Sequence, residues 1–183
     1  YSMLQSGAEF GAWREGRPQP SAPAASGRSP LRVERSGARL DLVLDRPEKR
    51  NAFSAALRDA LSEALEVVAQ DPSIEVVALR GEGPAFCAGG DLDEFGSFPD
   101  PASAHAIRST RNVARKMAAC AERIEVRVHG ACVGAGIELP AFAARLSARA
   151  DAFFELPEVA MGLIPGAGGT VSLPRRIGRQ RTA

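Results

Sequence analysis

The chain has 183 residues, of which 45% are apolar and 25% charged, and its formal net charge is +1. This length suffices for one domain with a substantial core and is short for two, and the composition is that of an ordinary globular protein. A net charge so close to zero argues against a protein built mainly to bind nucleic acid or an anionic membrane.

The N-terminal residues differ in composition from the rest of the chain. Residues 1–16 predict a short helix, whereas residues 16–30 are rich in Pro, Ala, Ser and Gly and have almost nothing to bury. That composition is typical of a linker or a disordered arm. We therefore divide the chain into an N-terminal arm, residues 1–30, and a domain, residues 31–183. The apolar side chains of the short helix are Leu4, Phe10 and Trp13.

The domain begins with a predicted strand pair and a helix. Apolar and polar residues alternate on both sides of Ser36-Gly37, which predicts a β-hairpin. Ser54 is placed to cap a helix. The apolar face of that helix follows helical spacing and consists of Leu57, Leu61, Leu65 and Val68.

Two further units follow, each predicted as strand, turn and helix. Residues 75–81 and 125–130 indicate buried strands, and a long amphipathic stretch from about residue 102 to residue 121 predicts one helix between them. Such alternation favours an α/β fold with parallel strands joined by crossovers.

Each of these two strands runs into a glycine-rich turn, "FCAGGDL" and "ACVGAGIELP". Backbone N–H groups at such turns bind phosphate, carboxylate or a developing oxyanion. Neither turn supplies the lysine of a phosphate-binding GxxxxGK[ST] loop or completes the dinucleotide motif GxGxxG, and "PGAGGT" at 165–170 also fits neither. An oxyanion remains, for which each turn could contribute one amide.

Two glutamates are the candidate proton-transfer groups. Glu138 follows the last glycine of the second turn by two residues, and Glu158 lies between Pro157 and an apolar run. Apolar neighbours desolvate a carboxyl group and raise its pKa towards the working range. Two such groups beside a polarised carbonyl form an acid/base pair that can act on water. Glu155 is a weaker competitor for this role.

Four motifs, in order and over roughly residues 31–183, resemble those of the enoyl-CoA hydratase/isomerase (crotonase) superfamily. They are "DRPEKRNAFS", "GPAFCAGGDL", "VHGACVGAGIEL" and "FFELPEVAMGLIPGAGGTVSLPRRIG". The resemblance implies a crotonase-like α/β fold, a spiral of ββα units, in homotrimers that often pair into hexamers. The family continues beyond "RRIGRQRTA" into helices that complete the acyl pocket and the trimer contacts. We therefore expect the native protein to continue past residue 183.

The resemblance also implies the site. The oxyanion-hole amides fall on Gly90 and Ala135, and the catalytic glutamates on Glu138 and Glu158. The implied reaction is hydration of a trans-2-enoyl-CoA, with coenzyme A as part of the substrate and no separate cofactor. The positions implied to contact the substrate are Lys49, Arg50, Ala52, Ala88, Gly89, Asp91, Leu92, Gly134, Pro157, Met161 and Gly166.

Other interpretations stay open at this stage. Double-bond isomerisation uses the same oxyanion hole but often keeps a single glutamate, and a non-catalytic module that binds acyl-CoA or a protein is a further alternative. Asp91 is also placed to cap the helix that follows it. We expect His129 to make a structural hydrogen bond and His105 to face solvent.

Cysteine use and leader signals indicate the compartment. The three cysteines lie in apolar or glycine-rich surroundings without a CxxC pair, so we predict buried reduced thiols and no metal site. No membrane-spanning segment is expected, and the first residues lack the features of a secretory signal. Together these features predict a cytoplasmic protein.

Overall fold

The computed structural model of the chain describes residues 1–17, 27–95 and 97–182. Its strands are β1 (Leu31–Ser36), β2 (Arg39–Leu44), β3 (Val76–Gly81), β4 (Ile124–Val128), β5 (Ala131–Val133), β6 (Arg145–Ala148) and β7 (Phe153–Glu155). Its α-helices are α1 (Ala8–Glu15), α2 (Ala55–Gln70), α3 (Pro101–Thr110), α4 (Val113–Ala119), α5 (Ala135–Glu138), α6 (Gly169–Ile177) and α7 (Arg179–Thr182).

The strands form a five-stranded sheet in the order β1-β2-β3-β4-β6 and a two-stranded sheet, β5-β7. β1 and β2 are antiparallel and the remaining neighbours are parallel. The predicted hairpin is confirmed, with Ser36 paired to Arg39 and Gly37 in the left-handed region at φ +58°. The predicted α/β fold with parallel crossovers is likewise confirmed.

Helix α2 packs its apolar face on the large sheet. Ser54 caps it, since its hydroxyl accepts a hydrogen bond from the Leu57 N–H at 3.2 Å. Burying a leucine or valine side chain stabilises a fold by about 1.5–3 kcal/mol. The predicted face is fully buried at Leu57, Leu61, Leu65 and Val68.

The single helix expected over residues 102–121 is wrong. The chain forms α3 and α4, which are separated at Arg111 and Asn112. The side chain of Asn112 accepts a hydrogen bond from the Arg115 N–H at 2.9 Å and so starts a new helix. An asparagine that bonds to the backbone in this way competes with continuation of the preceding helix.

The N-terminal arm is partly ordered. The predicted short helix is confirmed as α1, which follows a 3-10 turn at Leu4–Ser6. Phe10 on α1 is buried. Most of the predicted linker, residues 18–26, lies outside the described residues. Within the described ranges, the helices are all too short or too polar to cross a membrane.

Candidate active site

The two glycine turns lie side by side because the strand ends that precede them are joined. The Cys87 N–H donates to the Ala131 carbonyl at 3.1 Å, and the Val133 N–H donates to the Cys87 carbonyl at 3.0 Å. Gly136 completes the close approach, since a Cβ there would lie 2.1 Å from the Cys87 oxygen. Only glycine allows the second turn to reach the first so closely.

The backbone N–H of Gly90 makes no hydrogen bond in the β-bridge between Phe53 and Gly90 that holds the first turn. The Phe53 N–H donates to Gly89 at 2.7 Å, and the Asp91 N–H donates to Phe53 at 3.2 Å. A parallel bridge of this kind uses the residues on either side of Gly90 and leaves its own N–H facing away. Among the described residues, that N–H has no hydrogen-bond acceptor.

The sequence interpretation placed this first turn at the start of a helix, and that is wrong. The turn enters a 3-10 helix of three residues, Leu92–Glu94, and α3 begins only at Pro101. Asp91 caps the short helix, as expected, by accepting from the Asp93 N–H at 3.2 Å. The bridge to Phe53, rather than a helix dipole, therefore orients the Gly90 amide.

The second turn enters α5, whose first residue is Ala135. Gly134 has φ +49°, and its carbonyl accepts from the N–H groups of Ile137 and Glu138, both at 2.9 Å. The first N–H groups of a helix have no acceptor within the helix. The Ala135 amide is thus available on the side where the two turns meet.

Glu138, at the end of α5, is a buried carboxylate with backbone partners. It is 2% exposed, and its Oε2 accepts from the N–H groups of Ala167 at 2.8 Å and Gly169 at 2.7 Å. Burial raises the pKa of Glu138 to about 7, although these two amides act in the opposite direction. The neighbouring charge of Glu158 raises the pKa further.

Glu158 starts the 3-10 helix Glu158–Met161 directly after Pro157 and is 7% exposed. Burial raises its pKa above the ordinary value. Its Oε2 has no hydrogen-bond partner among the described residues. Leaving a buried polar atom unpaired costs about 1–3 kcal/mol. An unpaired buried oxygen is typical of a group whose hydrogen-bond partner arrives with a ligand.

The structure brings the two predicted glutamates together beside the second turn. The interaction between the two carboxyl groups raises the pKa of Glu138 and lowers that of Glu158. A side chain at Gly134 would begin 2.8 Å from the Oε1 of Glu158. Glu155, the weaker competitor, is exposed on β7.

The predicted substrate-contacting residues of the "EKRNAF" segment lie next to the first turn. The Ala88 N–H donates to the Arg50 carbonyl at 3.0 Å. Lys49 forms a half-exposed ion pair with Asp93 at 2.8 Å, and Asp91 forms a buried one with Arg46 at 2.7 Å. Ala52 is half-buried, and Leu92 is exposed.

Two more of the predicted substrate-contacting residues follow Glu158: Met161 ends the 3-10 helix, and Gly166 lies in the loop after it. Met161 is buried in a cluster with Phe10 and Leu163. The ring of Tyr1 lies against Gly166. The proximity of the N-terminal residues to this loop was not anticipated from the sequence.

Gly169 and Asn51 were also missed as functional residues. "PGAGGT" was considered only as a phosphate loop, whereas its amides hold Glu138. A pair of glycines before a helix was the available signal. Asn51 belongs to no sequence pattern that indicates a function, yet it is fully buried. Its side chain bonds to the backbone of Arg46, Glu82 and Ala85.

Histidine and cysteine side chains make structural contacts. His129 bonds to the Gly83 carbonyl at 2.9 Å, as expected of a structural residue, and His105 is exposed. The three cysteines are free and buried, and burial raises the pKa of Cys87 to about 12 and of Cys132 to about 11. The described ranges contain no cluster of three or more potential metal ligands.

Comparison with known proteins identifies the family. The family model for Enoyl-CoA hydratase/isomerase matches residues 35–183. Over 151 residues the chain is 37% identical to 2,3-dehydroadipyl-CoA hydratase of Escherichia coli K12, covering 82% of this chain and 58% of the relative. Over 147 residues it is 35% identical to the 1,2-epoxyphenylacetyl-CoA isomerase of the same strain, with coverages of 78% and 56%.

Solved structures agree with the sequence comparisons. The crystal structure of enoyl-CoA hydratase from Mycobacterium smegmatis matches with a TM-score of 0.76 and 32% identity, covering 85% of this chain and 61% of that one. The chain spans a little over half the length of these relatives. The fold is the crotonase-like α/β fold, and the chain belongs to the enoyl-CoA hydratase/isomerase family.

Proposed function

We propose that this site hydrates the C2–C3 double bond of a trans-2-enoyl-CoA thioester. The observation that carries the proposal is the pair of buried, adjacent glutamates, Glu138 and Glu158, beside the two joined glycine turns. Within the family, the sister isomerases often keep one of these acids. The presence of both favours addition of water.

In the proposed mechanism, the thioester oxygen accepts hydrogen bonds from the N–H groups of Gly90 and Ala135. Glu138 removes a proton from a water held between the acids, and the water oxygen attacks C3. The resulting enolate is stabilised by the two amides until Glu158 donates its proton to C2. Each donor to such an oxyanion typically lowers the barrier by about 3 kcal/mol.

The different surroundings of the two acids support this division of roles. The amides of Ala167 and Gly169 stabilise the charged form of Glu138, as a base requires. Burial raises the pKa of Glu158 above its ordinary value, and its Oε2 has no partner among the described residues, so that oxygen is free to carry a proton towards the substrate. Because the two carboxyls interact, their apparent pKa values belong to the pair.

The remaining predicted residues belong to the same proposal. The segment with Lys49, Arg50 and Ala52, and the turn of residues 88–92, line the channel for coenzyme A. Gly134 and Pro157 flank the reacting carbons, and Met161 and Gly166 face the acyl group. By likeness to the family we also propose a homotrimer or hexamer, a cytoplasmic location and no separate cofactor.

Isomerisation is the second candidate, since a relative at 32% identity is named Delta(3,5)-Delta(2,4)-dienoyl-CoA isomerase. The same acids could move a proton between carbons of an enoyl group without adding water. Separate assays with crotonyl-CoA and with a 3-enoyl-CoA distinguish hydration from isomerisation. Hydration removes the absorbance of the conjugated enoyl group, whereas isomerisation of the 3-enoyl substrate creates it.

The deciding experiment compares Glu158→Gln with wild type on crotonyl-CoA. We expect kcat to fall by about 10²–10⁴-fold, since proton transfer is lost, while the Kd for butyryl-CoA stays nearly unchanged. Glu155→Gln is the matched control, because that exposed carboxylate lies three residues away, and it should retain the wild-type rate. A near-native rate in Glu158→Gln contradicts the acid/base assignment. Tight binding of acyl-CoA by a wild-type protein without turnover supports the non-catalytic module.

A further inference from the structure

The N-terminal arm lies on the loop that follows Glu158. A Cβ at Gly166 would lie 2.6 Å from Cδ2 of the Tyr1 ring, and a Cβ at Gly162 would lie 2.6 Å from the Cβ of Glu9. Both glycines occur where residues 1–15 contact this loop, so side chains there would collide with the arm. The loop is therefore shaped to receive the N-terminal residues.

Aromatic side chains continue this contact towards the glycine turns. Phe10 is 2% exposed and packs on Met161 and Leu163. Its ring centroid is 6.3 Å from that of Phe95. Phe95 in turn covers the first turn, since a Cβ at Gly90 would lie 2.7 Å from its Cε1. An apolar surface thus extends from the acyl-pocket loop to the proposed oxyanion amide.

Polar bonds anchor the arm as well. The guanidinium of Arg108 on α3 donates to the Ser2 hydroxyl at 2.8 Å and to the Gln5 side-chain oxygen at 2.9 Å. The same group lies 4.8 Å from the centroid of the Tyr1 ring. One arginine therefore fixes the position of the first five residues relative to α3.

Tyr1 also lies close to the reacting groups. Burial raises the pKa of Tyr1 to about 12; the charge of Arg108 opposes this shift, and the charges of Glu138 and Glu158 add to it. The ring lies against Gly166, and the next residue, Ala167, donates its N–H to the Oε2 of Glu138 at 2.8 Å. The ring is therefore packed on the backbone that holds one of the two acids.

We propose that residues 1–15 form the end wall of the acyl pocket, with the Tyr1 ring as the surface that limits acyl length. This inference rests on the proposed function of the site. A short acyl group fits between the glutamates and the ring, whereas a long one must displace the ring from Gly166 and from Arg108. The arm thereby makes the site selective for short acyl chains.

The test measures kcat/KM for trans-2-enoyl-CoA substrates with four to ten acyl carbons. For wild type we expect the C10 substrate to be poorer than the C4 substrate by about tenfold or more. Tyr1→Ala should raise the C10 to C4 ratio by about tenfold, because it removes the ring. Tyr1→Phe keeps the ring and should keep the wild-type ratio. Met3→Ala is the control in the same arm, since Met3 is 75% exposed.

A binding measurement separates this proposal from the hydratase proposal. Trp13 is the one tryptophan of the chain and stacks on Phe10 with ring centroids 5.6 Å apart, so its fluorescence reports on the arm. Butyryl-CoA and decanoyl-CoA, which cannot be hydrated, are titrated by fluorescence and calorimetry. We expect decanoyl-CoA to bind more weakly than butyryl-CoA in wild type and to gain affinity in Tyr1→Ala.

Arg108→Ala provides a second variant that leaves the ring in place but frees the arm, and it should shift selectivity in the same direction as Tyr1→Ala. The proposal that residues 1–15 form the end wall is wrong if wild type binds both ligands with equal affinity. It is also wrong if selectivity is unchanged in Tyr1→Ala and Arg108→Ala. If no enoyl-CoA is turned over but the length selectivity in binding is present and lost in Tyr1→Ala, the hydratase proposal fails and the wall stands.

Discussion

Three glutamates near the second turn show how surroundings set the properties of one residue type. Glu155 is exposed on β7, whereas Glu138 and Glu158 are buried. Two backbone amides hold the Oε2 of Glu138, and the corresponding oxygen of Glu158 is unpaired among the described residues. The same side chain is therefore a surface charge at one position and a candidate proton donor or acceptor at the others.

The raised pKa of Glu138 predicts a specific pH dependence. A base must be ionised to act, and burial raises the pKa of Glu138 to about 7. We therefore expect kcat/KM for crotonyl-CoA to fall about tenfold for each pH unit below about 7.

Steady-state rates between pH 5 and 9 check this dependence. Glu122→Gln should reproduce the wild-type profile, because this exposed carboxylate does not affect the pKa of either acid. A low-pH limb at the ordinary carboxyl pKa, near 4.5, contradicts the role of burial at Glu138.

Gly169→Ala should impair catalysis through the position of Glu138. The added methyl would lie 2.7 Å from the Cγ and 2.9 Å from the Oε2 of Glu138, so the carboxylate must move. Because a displacement of about 1 Å in a catalytic group can cost roughly 100-fold in rate, we expect kcat to fall by about that factor while the far-UV circular dichroism spectrum is retained. Gly27→Ala is the control, as a methyl there meets nothing within 4 Å. Equal rates for the two variants would falsify the positioning role of this glycine.

At the scale of elements, one buried side chain joins the proposed coenzyme A segment to the first turn. Arg50 and Asn51 both have positive φ, at 49° and 54°. The Asn51 side chain accepts from the Arg46 N–H at 2.8 Å and donates to the carbonyls of Glu82 at 2.8 Å and Ala85 at 2.9 Å. Asparagine tolerates the left-handed region better than most residues, and here its amide also replaces backbone pairing between loops.

Asn51→Ala should therefore lower both stability and ligand affinity. Removing the amide leaves three backbone groups unpaired, of which that of Ala85 is buried and the other two are partly buried, and we expect the free energy of unfolding in urea to fall by about 2–4 kcal/mol. The loosened segment should also weaken binding of butyryl-CoA, measured by calorimetry under conditions where the variant is folded. Asn112→Ala is the matched control, since loss of that helix cap costs about 1 kcal/mol and lies away from the segment. Unchanged affinity in folded Asn51→Ala would show that the segment is not part of the binding site.

At the scale of the whole molecule, the site is assembled from parts that are distant along the chain. Parallel pairing carries the two glycine turns to one end of the sheets, where Cys87 and Cys132 join them. The loop with Gly169 returns to hold Glu138, and the N-terminal arm covers the same loop at Gly162 and Gly166. The Glu138 side chain therefore depends on contacts over a long sequence separation.

Features that depend on local patterns could be predicted from the amino-acid sequence. Alternation around Ser36-Gly37 predicted the hairpin, and the spacing behind Ser54 predicted α2 and its buried face, all of which are confirmed. The four motifs identified the family, and apolar neighbours indicated that Glu158 is buried. These predictions succeeded because periodicity and neighbouring residues report directly on backbone conformation and burial.

Contacts between residues that are distant along the chain could not be predicted from the sequence and are seen only in the folded structure. The amphipathic pattern over residues 102–121 has no interruption. The break between the two helices is seen only from the hydrogen bond that the Arg115 N–H donates to the Asn112 side chain. The amides that hold Glu138 lie 29 and 31 residues further along the chain, and Tyr1 reaches Gly166 from the opposite end of it. A local pattern indicates that a side chain is buried, whereas its partners are set by how the strands, turns and arm pack together.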